Sequence, residues 1–287
     1  MIKSYKFRRI LSNSFIYVIL AALGLIWISP LVYLVLHSFR GGGSPTTVDY
    51  LLPKLEEYSF QNYIDLFTKT EQLNFPRWFM NTLIVAIFSC IISTLAVLMV
   101  SYSFSRLRFK ARKPLINVGM ILGMFPGFMT MVAIYLLLDI MGLGRSLVAL
   151  VICYSAGAGL GYQISKGFFD TIPRALDEAA TIDGATRNQI FWKIILPMSK
   201  PIVVYTVLTS FIGPWTDFLL AKIIMVDTKE NYTVAIGLQQ MLQQEFYNEY
   251  YKQFLAGSVV VAVPITILFL FMQRYYVEGV TAGGVKG

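Results

Sequence analysis

Three groups of residues in this 287-residue chain have the types and spacing from which a function could be built. The first is Glu178-Ala179-Ala180, then Gly184 after three residues, Ile194 after nine more, and Leu196-Pro197 after one more. The second is Trp215-Thr216-Asp217: a stacking face, a hydroxyl and a carboxylate acceptor, the mixture that a sugar ring requires of a site. The third is a polar, aromatic stretch from Gln239 to Tyr251. Other chemistry is missing. His37 is the only histidine, and Cys90 and Cys153 both lie inside apolar runs, where they suit small core residues better than a disulfide or metal site. No Gly-x-x-x-x-Gly-Lys-Ser/Thr phosphate loop occurs, so no nucleotide hydrolysis, no bound cofactor and no catalytic residue is expected of this chain. Gly157, Gly159 and Gly161 only faintly resemble a nucleotide loop. No strand precedes them, and close helix packing through small residues is the expected use.

These groups sit in an apolar framework. The composition is 56% hydrophobic and 14% charged, with mean hydropathy +0.62, against about 25% charged in a soluble domain. A soluble enzyme, a disordered chain and a disulfide scaffold are all excluded. Six runs match the ~20 residues that cross the ~30 Å hydrocarbon core: Phe15–Leu36, Thr82–Val100, Leu115–Leu138, Ser146–Ile164, Ile202–Leu220 and Phe254–Met272. They lack the period-two alternation of barrel strands, so helices are expected. Pro126-Gly127 interrupts the third run. The first run follows Lys3, Lys6, Arg8 and Arg9, and reads as an uncleaved signal-anchor.

Charge sets the orientation. With the N-terminus in the cytoplasm, 16 of the 24 basic residues fall inside, including Arg106, Arg108, Lys110, Arg112 and Lys113 in the loop Tyr102–Pro114. Net charge is then +11 inside and −3 outside, within the total of +8. Both termini are expected in the cytoplasm of a multi-pass membrane protein. The basic excess is a topology signal, and no nucleic-acid partner is implied. Acidic or histidine residues deep in the spans, which an ion-coupled carrier needs, are almost absent. The outer segments Arg40–Asn81 and Ala221–Gln253 are too long for simple connectors, so local structure is expected in each.

The cytoplasmic segment Ser165–Pro201 is unusual. Pro173 suits a helix start, Asp177 and Glu178 favour a helix N-terminus, and Asp183-Gly184 signals a turn. Ala175, Leu176, Ala179, Ala180 and Ile182 make one small, apolar helical face. Ala185 to Ile195 reads as a second helix with Ile190, Phe191, Ile194 and Ile195 as its stripe. Two such short helices are unstable alone. They pack either on the protein's own membrane-side surface or, as a knob, into a cytoplasmic partner.

The Glu-Ala-Ala…Gly…Ile-x-Leu-Pro spacing resembles the EAA loop of ABC importer permeases at every fixed position. The C-terminal end, with Gln273-Arg274, Val277, Gly279 and Thr281-Ala282-Gly283-Gly284-Val285-Lys286-Gly287, resembles sugar permeases of the maltose-transporter type, specifically the smaller membrane subunit. Pro264-Ile265-Thr266, and Tyr232 to Gln240, are similar to the same group. Asn62-Tyr63-x-x-Leu66-Phe67 gives weaker support. The resemblance runs over most of residues 80–287.

It implies an all-α membrane protein with six transmembrane helices, a type I (MetI-like) permease core over 82–287 and an N-terminal part over 1–81. Residues 165–201 would carry the coupling helix, with Glu178, Ala179, Ala180, Asp183, Gly184, Ala185, Ile194, Leu196 and Pro197 docking into an ATP-hydrolysing subunit. The tail 273–287 would reach that interface through Thr281, Gly283, Gly284 and Lys286. Gln243, Gln244, Phe246, Tyr247 and Asn248 would touch an extracellular sugar-binding protein, and Trp215, Thr216 and Asp217 would line the path. Implied partners are a homologous permease in a heterodimer, two ATPase subunits using ATP and Mg, a binding protein (lipoprotein or periplasmic) and the lipids of a bacterial inner or plasma membrane. The implied cargo is an oligosaccharide of the maltodextrin type. Another oligosaccharide, a non-sugar solute and a secondary carrier are the alternatives.

Overall fold

The computed structural model describes residues 2–41, 57–158 and 161–284, of which 2–12, 158 and 276–284 by backbone alone. The elements are α1 (Ile2–Ser38), α2 (Gln61–Thr68), α3 (Phe75–Arg106), α4 (Arg112–Gly123), α5 (Gly127–Ile140), α6 (Leu147–Ala158), α7 (Tyr162–Thr171) and α8 (Ala175–Ile182). They continue with α9 (Arg187–Ile190), a π-turn (Phe191–Ile195), α10 (Leu196–Met198), α11 (Lys200–Thr216), α12 (Leu219–Met225), α13 (Val234–Met241) and α14 (Tyr247–Gly284). Among the described residues the only β contact is a bridge between Arg40 and Tyr58.

Three single helices are long and apolar enough to cross a membrane: Asn13–Ser38, Phe75–Arg106 and Tyr247–Tyr275. Three more candidates are bent pairs. Arg112–Gly123 meets Gly127–Ile140 at 103°, Leu147–Gly157 meets Tyr162–Thr171 at 40°, and Arg187–Met198 meets Lys200–Thr216 at 86°. The sharpest break falls at Pro126, whose extended backbone (φ −59°, ψ 123°) caps α5. That is the interruption expected from Pro126-Gly127, since proline deprives the turn of an N–H and disfavours helix before it.

Burial in α3 runs opposite to that of a water-soluble helix. Its buried stripe holds Thr82, Ser89, Ser93, Ser101 and Ser105, while Ile84, Phe88, Ile91, Leu95 and Met99 are exposed. Lipid tails accept the large apolar groups, and small polar residues let neighbouring helices approach. Here Ser93 Oγ donates to the Tyr154 carbonyl at 3.3 Å and Ser101 Oγ to the Tyr162 carbonyl at 3.0 Å. α1 follows the same logic, with Trp27 80% exposed.

Two of the connecting segments are shorter than the hydropathy suggests. α3 starts at Phe75, inside the stretch read as an outer loop, and ends at Arg106, inside the stretch read as a cytoplasmic loop. The cause is that helix extends beyond the hydrocarbon wherever backbone groups find partners, which hydropathy does not register. The segment after α11, read as an outer loop, carries α12, a 3-10 turn at Lys229–Asn231 and α13, the local structure its length demands.

By packing, the chain forms two bodies that are not linear in sequence: Met1–Leu73 with Leu238–Val260, and Asn74–Gly237 with Val261–Gly287. In the first, Asn62 Nδ2 donates to the carbonyls of Ser38 and Arg40, both at 2.9 Å, and the Tyr63 hydroxyl pairs with Ser38 Oγ at 2.6 Å. The Asn-Tyr-x-x-Leu-Phe pattern is therefore a clasp on the end of α1, with Leu66 buried beneath it. The Tyr250 hydroxyl to Gln72 Oε1 (3.3 Å) and Lys252 Nζ to the Gly41 carbonyl (3.4 Å) bring 238–260 into this body. The second body holds the Glu178–Pro197 segment and Trp215 to Asp217, while Gln243 to Asn248 belong to the first.

Candidate functional site

The segment containing Glu178 to Pro197 folds as two short helices joined at Gly184. α8 ends in a Schellman turn: the Ala185 N–H reaches the Ala180 carbonyl at 2.9 Å and the Gly184 N–H the Thr181 carbonyl at 3.1 Å. Gly184 sits at φ +80°, where an L side chain is strained. α9 begins with a capping box, in which the Thr186 hydroxyl accepts from the Gln189 N–H and Gln189 Oε1 accepts from the Thr186 N–H. Ile190, Phe191 and Ile195 are buried and Ile194 and Leu196 half-buried, in a cluster with Leu98, Tyr102, Phe169, Ile172 and Ile202. The helix then passes through a π-turn into Pro197 and bends into α11.

α8 does not present its small residues as one buried face. Ala180 is buried, but Ala175, Leu176, Ala179 and Ile182 face outward, with Ile182 86% exposed. The reason is that Asp177, on the inward side, is held by Arg106. The Arg106 side chain is 4% exposed, and its Nη1 donates to Asp177 Oδ2 at 2.8 Å. Its Nη2 donates to the carbonyls of Phe169 (2.6 Å) and Ile172 (2.7 Å), which close the end of α7. One guanidinium thus ties α3, α7 and α8 together through the planar fork that lysine lacks. The Tyr102 hydroxyl adds a bond to the Arg187 carbonyl at 3.3 Å and Ser105 Oγ one to Asp170 at 2.6 Å. Glu178, Ala179, Asp183 and Gly184 are left on the exposed side, beside Leu176 and Ile182.

Sequence reasoning missed Arg106 and Asp177 as a pair. They stand 71 residues apart, and Arg106 carried only the meaning of one positive charge among five.

A second site is a cavity of about 590 Å³ lined by residues of α3, α4, α5, α6, α7, α11 and α12. Thr130, Tyr154, Tyr205, Thr209, Ser210 and Asp217 give it polar lining, and Phe125, Met131 and Ile134 apolar lining. Asp217 is its one charged residue. Asp217 lies where α11 ends and Oδ1 accepts the Leu220 N–H at 3.1 Å, starting α12. Trp215 does not join it. That ring is 3% exposed and packs edge-on against Phe79, centroids 5.2 Å apart. Thr216 is exposed, with its hydroxyl bonded back to the Ile212 and Gly213 carbonyls. Three consecutive residues at a helix end point in different directions, which breaks the expected triplet.

The glycines of the fourth run also differ from expectation. A Cβ at Gly157 or Gly161 would meet no atom within 4 Å, and both line the cavity instead of packing closely. Gly159 lies outside the described residues. Close packing occurs at Gly237, where a Cβ would fall 1.9 Å from the Trp78 ring. Among the described residues no group of three or more metal-ligating side chains occurs, and both cysteines are free.

Of the stretch Gln239 to Tyr251, Gln243, Gln244 and Asn248 are exposed and Phe246 and Tyr247 half-buried, in the turn that opens α14. In the tail, α14 runs through Thr281, Gly283 and Gly284 as backbone, and Lys286 lies outside the described residues.

Comparison with known proteins agrees with this architecture. The family described as "binding-protein-dependent transport system inner membrane component" matches residues 93–281. A galactooligosaccharides transport system permease protein of Bacillus subtilis is 35% identical over 288 residues, covering 100% of both chains. A maltodextrin transport system permease protein of Streptococcus pneumoniae is 33% identical, also over 100% of both. A crystal structure of a bacterial ABC transporter involved in import of the acidic polysaccharide alginate superposes with TM-score 0.76. It covers 93% of this chain and 96% of the other at 20% identity, a likeness of fold. The chain belongs to the binding-protein-dependent transport system inner membrane component family, with the fold of ABC importer permeases.

Proposed function

We propose that this chain is the permease subunit of an ATP-driven importer of oligosaccharides, of the maltodextrin or galactooligosaccharide class. The observation that carries the reading is end-to-end likeness, without large gaps in coverage, to permeases named for those two cargoes. The geometry supports it at both ends of the path. On one side, the exposed Leu176, Ala179 and Ile182 surface stands on a segment fixed from beneath by Arg106. An apolar surface of that kind, ringed by Glu178 and Asp183, suits a protein groove. Inside, hydroxyls and the rings of Phe125, Tyr154 and Tyr205 line one cavity, the mixture a polyhydroxylated ring requires.

In this reading the ATPase subunits take the segment around Glu178–Gly184, with Ala185, Ile194, Leu196 and Pro197 forming the base that keeps it rigid. The tail Thr281–Lys286 lies at the same interface. ATP, with Mg, binds and is hydrolysed in those subunits, and this chain contributes no catalytic residue. A homologous permease completes the path. Gln243, Gln244, Phe246, Tyr247 and Asn248 meet the binding protein outside, and both termini lie in the cytoplasm. Transport proceeds by alternating access: ATP favours one arrangement, and the segment turns with its base as one piece. This requires that ATP bind the two arrangements with different affinity. Asp217, Tyr154 and Thr209 are the residues proposed to meet the sugar.

The test is purification from native lipid followed by reconstitution. The expected result is co-purification with an ATPase and a second permease, and ATP-dependent uptake of labelled maltotriose or galactotriose when binding protein is added. Uptake without nucleotide, in a preparation free of ATPase, overturns the reading.

A further inference from the structure

α3 differs from every other membrane-crossing candidate among the described residues. α1 contains Pro30 and α14 contains Pro264. The remaining three are pairs bent by 40° to 103°. α3 runs for 32 residues with its one proline in the first turn, where it does no harm. At 1.5 Å per residue it is about 48 Å long, so both ends stand beyond a hydrocarbon core of about 30 Å.

Each end grips the backbone of a distant segment. At the outer end Asn81 Nδ2 donates to the carbonyls of Glu230 (2.9 Å) and Tyr232 (3.0 Å). Thr82 Oγ1 accepts the Val234 N–H at 2.8 Å, capping the start of α13. Next to them the Trp78 ring fills the space that a side chain at Gly237 would need. At the other end Arg106 and Tyr102 hold Phe169, Ile172, Asp177 and Arg187 as described. Apart from the Arg106–Asp177 ion pair, both grips are made by side chains on backbone carbonyls or N–H groups, so most of their bonds hold whatever residues the gripped segments carry. Between the grips, Val85, Ala86, Ser89, Ser93 and Ser101 are at most 1% exposed.

We infer that α3 is the rod by which events at the outer segment Glu230–Gly237 reach the cytoplasmic segment Ala175–Gly184, with Asn81 and Arg106 as positioning residues at its two ends. The inference rests on the proposed function. α13, whose first turn the rod holds, leads directly into the stretch proposed to meet the binding protein. An unbroken helix fixed at both ends moves as a unit, whereas a helix with an internal proline or a break absorbs displacement there. Binding-protein engagement outside therefore shifts the ATPase-facing segment inside, with no nucleotide contact by this chain.

The experiment measures ATP hydrolysis of the whole reconstituted transporter, with and without sugar-loaded binding protein. Two variants are used: Asn81→Leu, which keeps volume and removes both side-chain bonds to the Glu230 and Tyr232 carbonyls, and Leu95→Gly with Met99→Gly, which softens the rod between its grips at two exposed positions. Expected in both is basal hydrolysis within about twofold of the parent and stimulation by binding protein reduced about fivefold or more, the low end of ordinary coupling between sites. A merely structural role lowers basal and stimulated rates in proportion, and that result overturns the rod. Full stimulation in both variants does the same. If the parent transporter itself shows no stimulation, the proposed function falls and the rod with it.

Discussion

The Glu178–Pro197 segment and the cavity are both made of a few polar groups in an apolar setting, yet they are encoded differently. The segment is local. Glu178 to Pro197 is contiguous, its turn needs a positive φ that Gly184 supplies, and its second helix starts with a capping box spelled Thr186 to Gln189. The cavity is assembled from α3, α4, α5, α6, α7, α11 and α12, and its polar residues come from several separate apolar runs. Local sites are built by chain geometry and distant ones by packing, so substitutions in the two should fail in different ways.

The largest effect is expected where the local segment depends on a distant group. Arg106→Met removes three bonds and leaves Asp177 half-buried beside two open carbonyls. Breaking a buried pair costs about 3–5 kcal/mol, and the Asp177 carboxylate, 16% exposed, moves the figure toward the lower end. Thermal unfolding of the purified chain should fall by several degrees, with Arg106→Lys recovering only part of the loss. An unchanged melting curve would show that α8 is held by its apolar contacts alone.

Next comes Gly184→Val. At φ +80° a non-glycine residue is strained by roughly 1–2 kcal/mol, more for a branched one. No atom lies within 4 Å of the added Cβ, so the cost starts from strain in the turn and not from a clash at that atom. The expected outcome is a chain that inserts normally but retains about tenfold less ATPase on purification, the factor that ~1.4 kcal/mol corresponds to. Normal retention would mean that the turn is free to change without moving the docking face.

The cavity should answer in the opposite sense, losing function with little loss of assembly. Asp217→Ala is expected to lower uptake about tenfold, equivalent to one good hydrogen bond to a charged group, while subunit composition stays the same. Trp215→Leu is the control. It empties part of a buried aromatic cluster with Phe79 and Phe211 and should lower stability by about 2–4 kcal/mol while leaving the apparent KM for sugar in place. If Trp215→Leu moves KM and Asp217→Ala does not, the ring rather than the carboxylate belongs to the path.

How much of this was legible follows from the same division. The helix–turn–helix, the break at Pro126 and the apolar crossings are written in short-range spacing, and the fold repeats them. The grip of Arg106 on Asp177, 71 residues away, left no local mark. Neither did Asn81, which bonds Glu230 and Tyr232 about 150 residues on. Trp215, Thr216 and Asp217 looked like one site because they are adjacent. At a helix C-terminus adjacent residues point about 100° apart, and only Asp217 reaches the cavity. Gly157 and Gly161 misled for a related reason. Small residues allow close approach or leave space, and the choice belongs to the neighbouring helices.

The smallest effect is expected at the residue that the sequence motif makes most prominent. Glu178 is exposed, in the first turn of α8, while its neighbour Asp177 is the acid that Arg106 holds. A carboxylate there interacts with the helix N-terminus for about 0.3–1 kcal/mol, and an exposed pair with a partner's cation adds a similar amount. Glu178→Gln should therefore weaken ATPase binding by about fivefold at low salt. The difference from the parent should vanish near 0.5 M salt, where the Debye length is shorter than about 5 Å. Binding affinity across a salt series checks this. A loss of a hundredfold or more that persists at high salt would place Glu178 in an enclosed, desolvated contact. The docking face would then be centred on the acid and not on Leu176, Ala179 and Ile182.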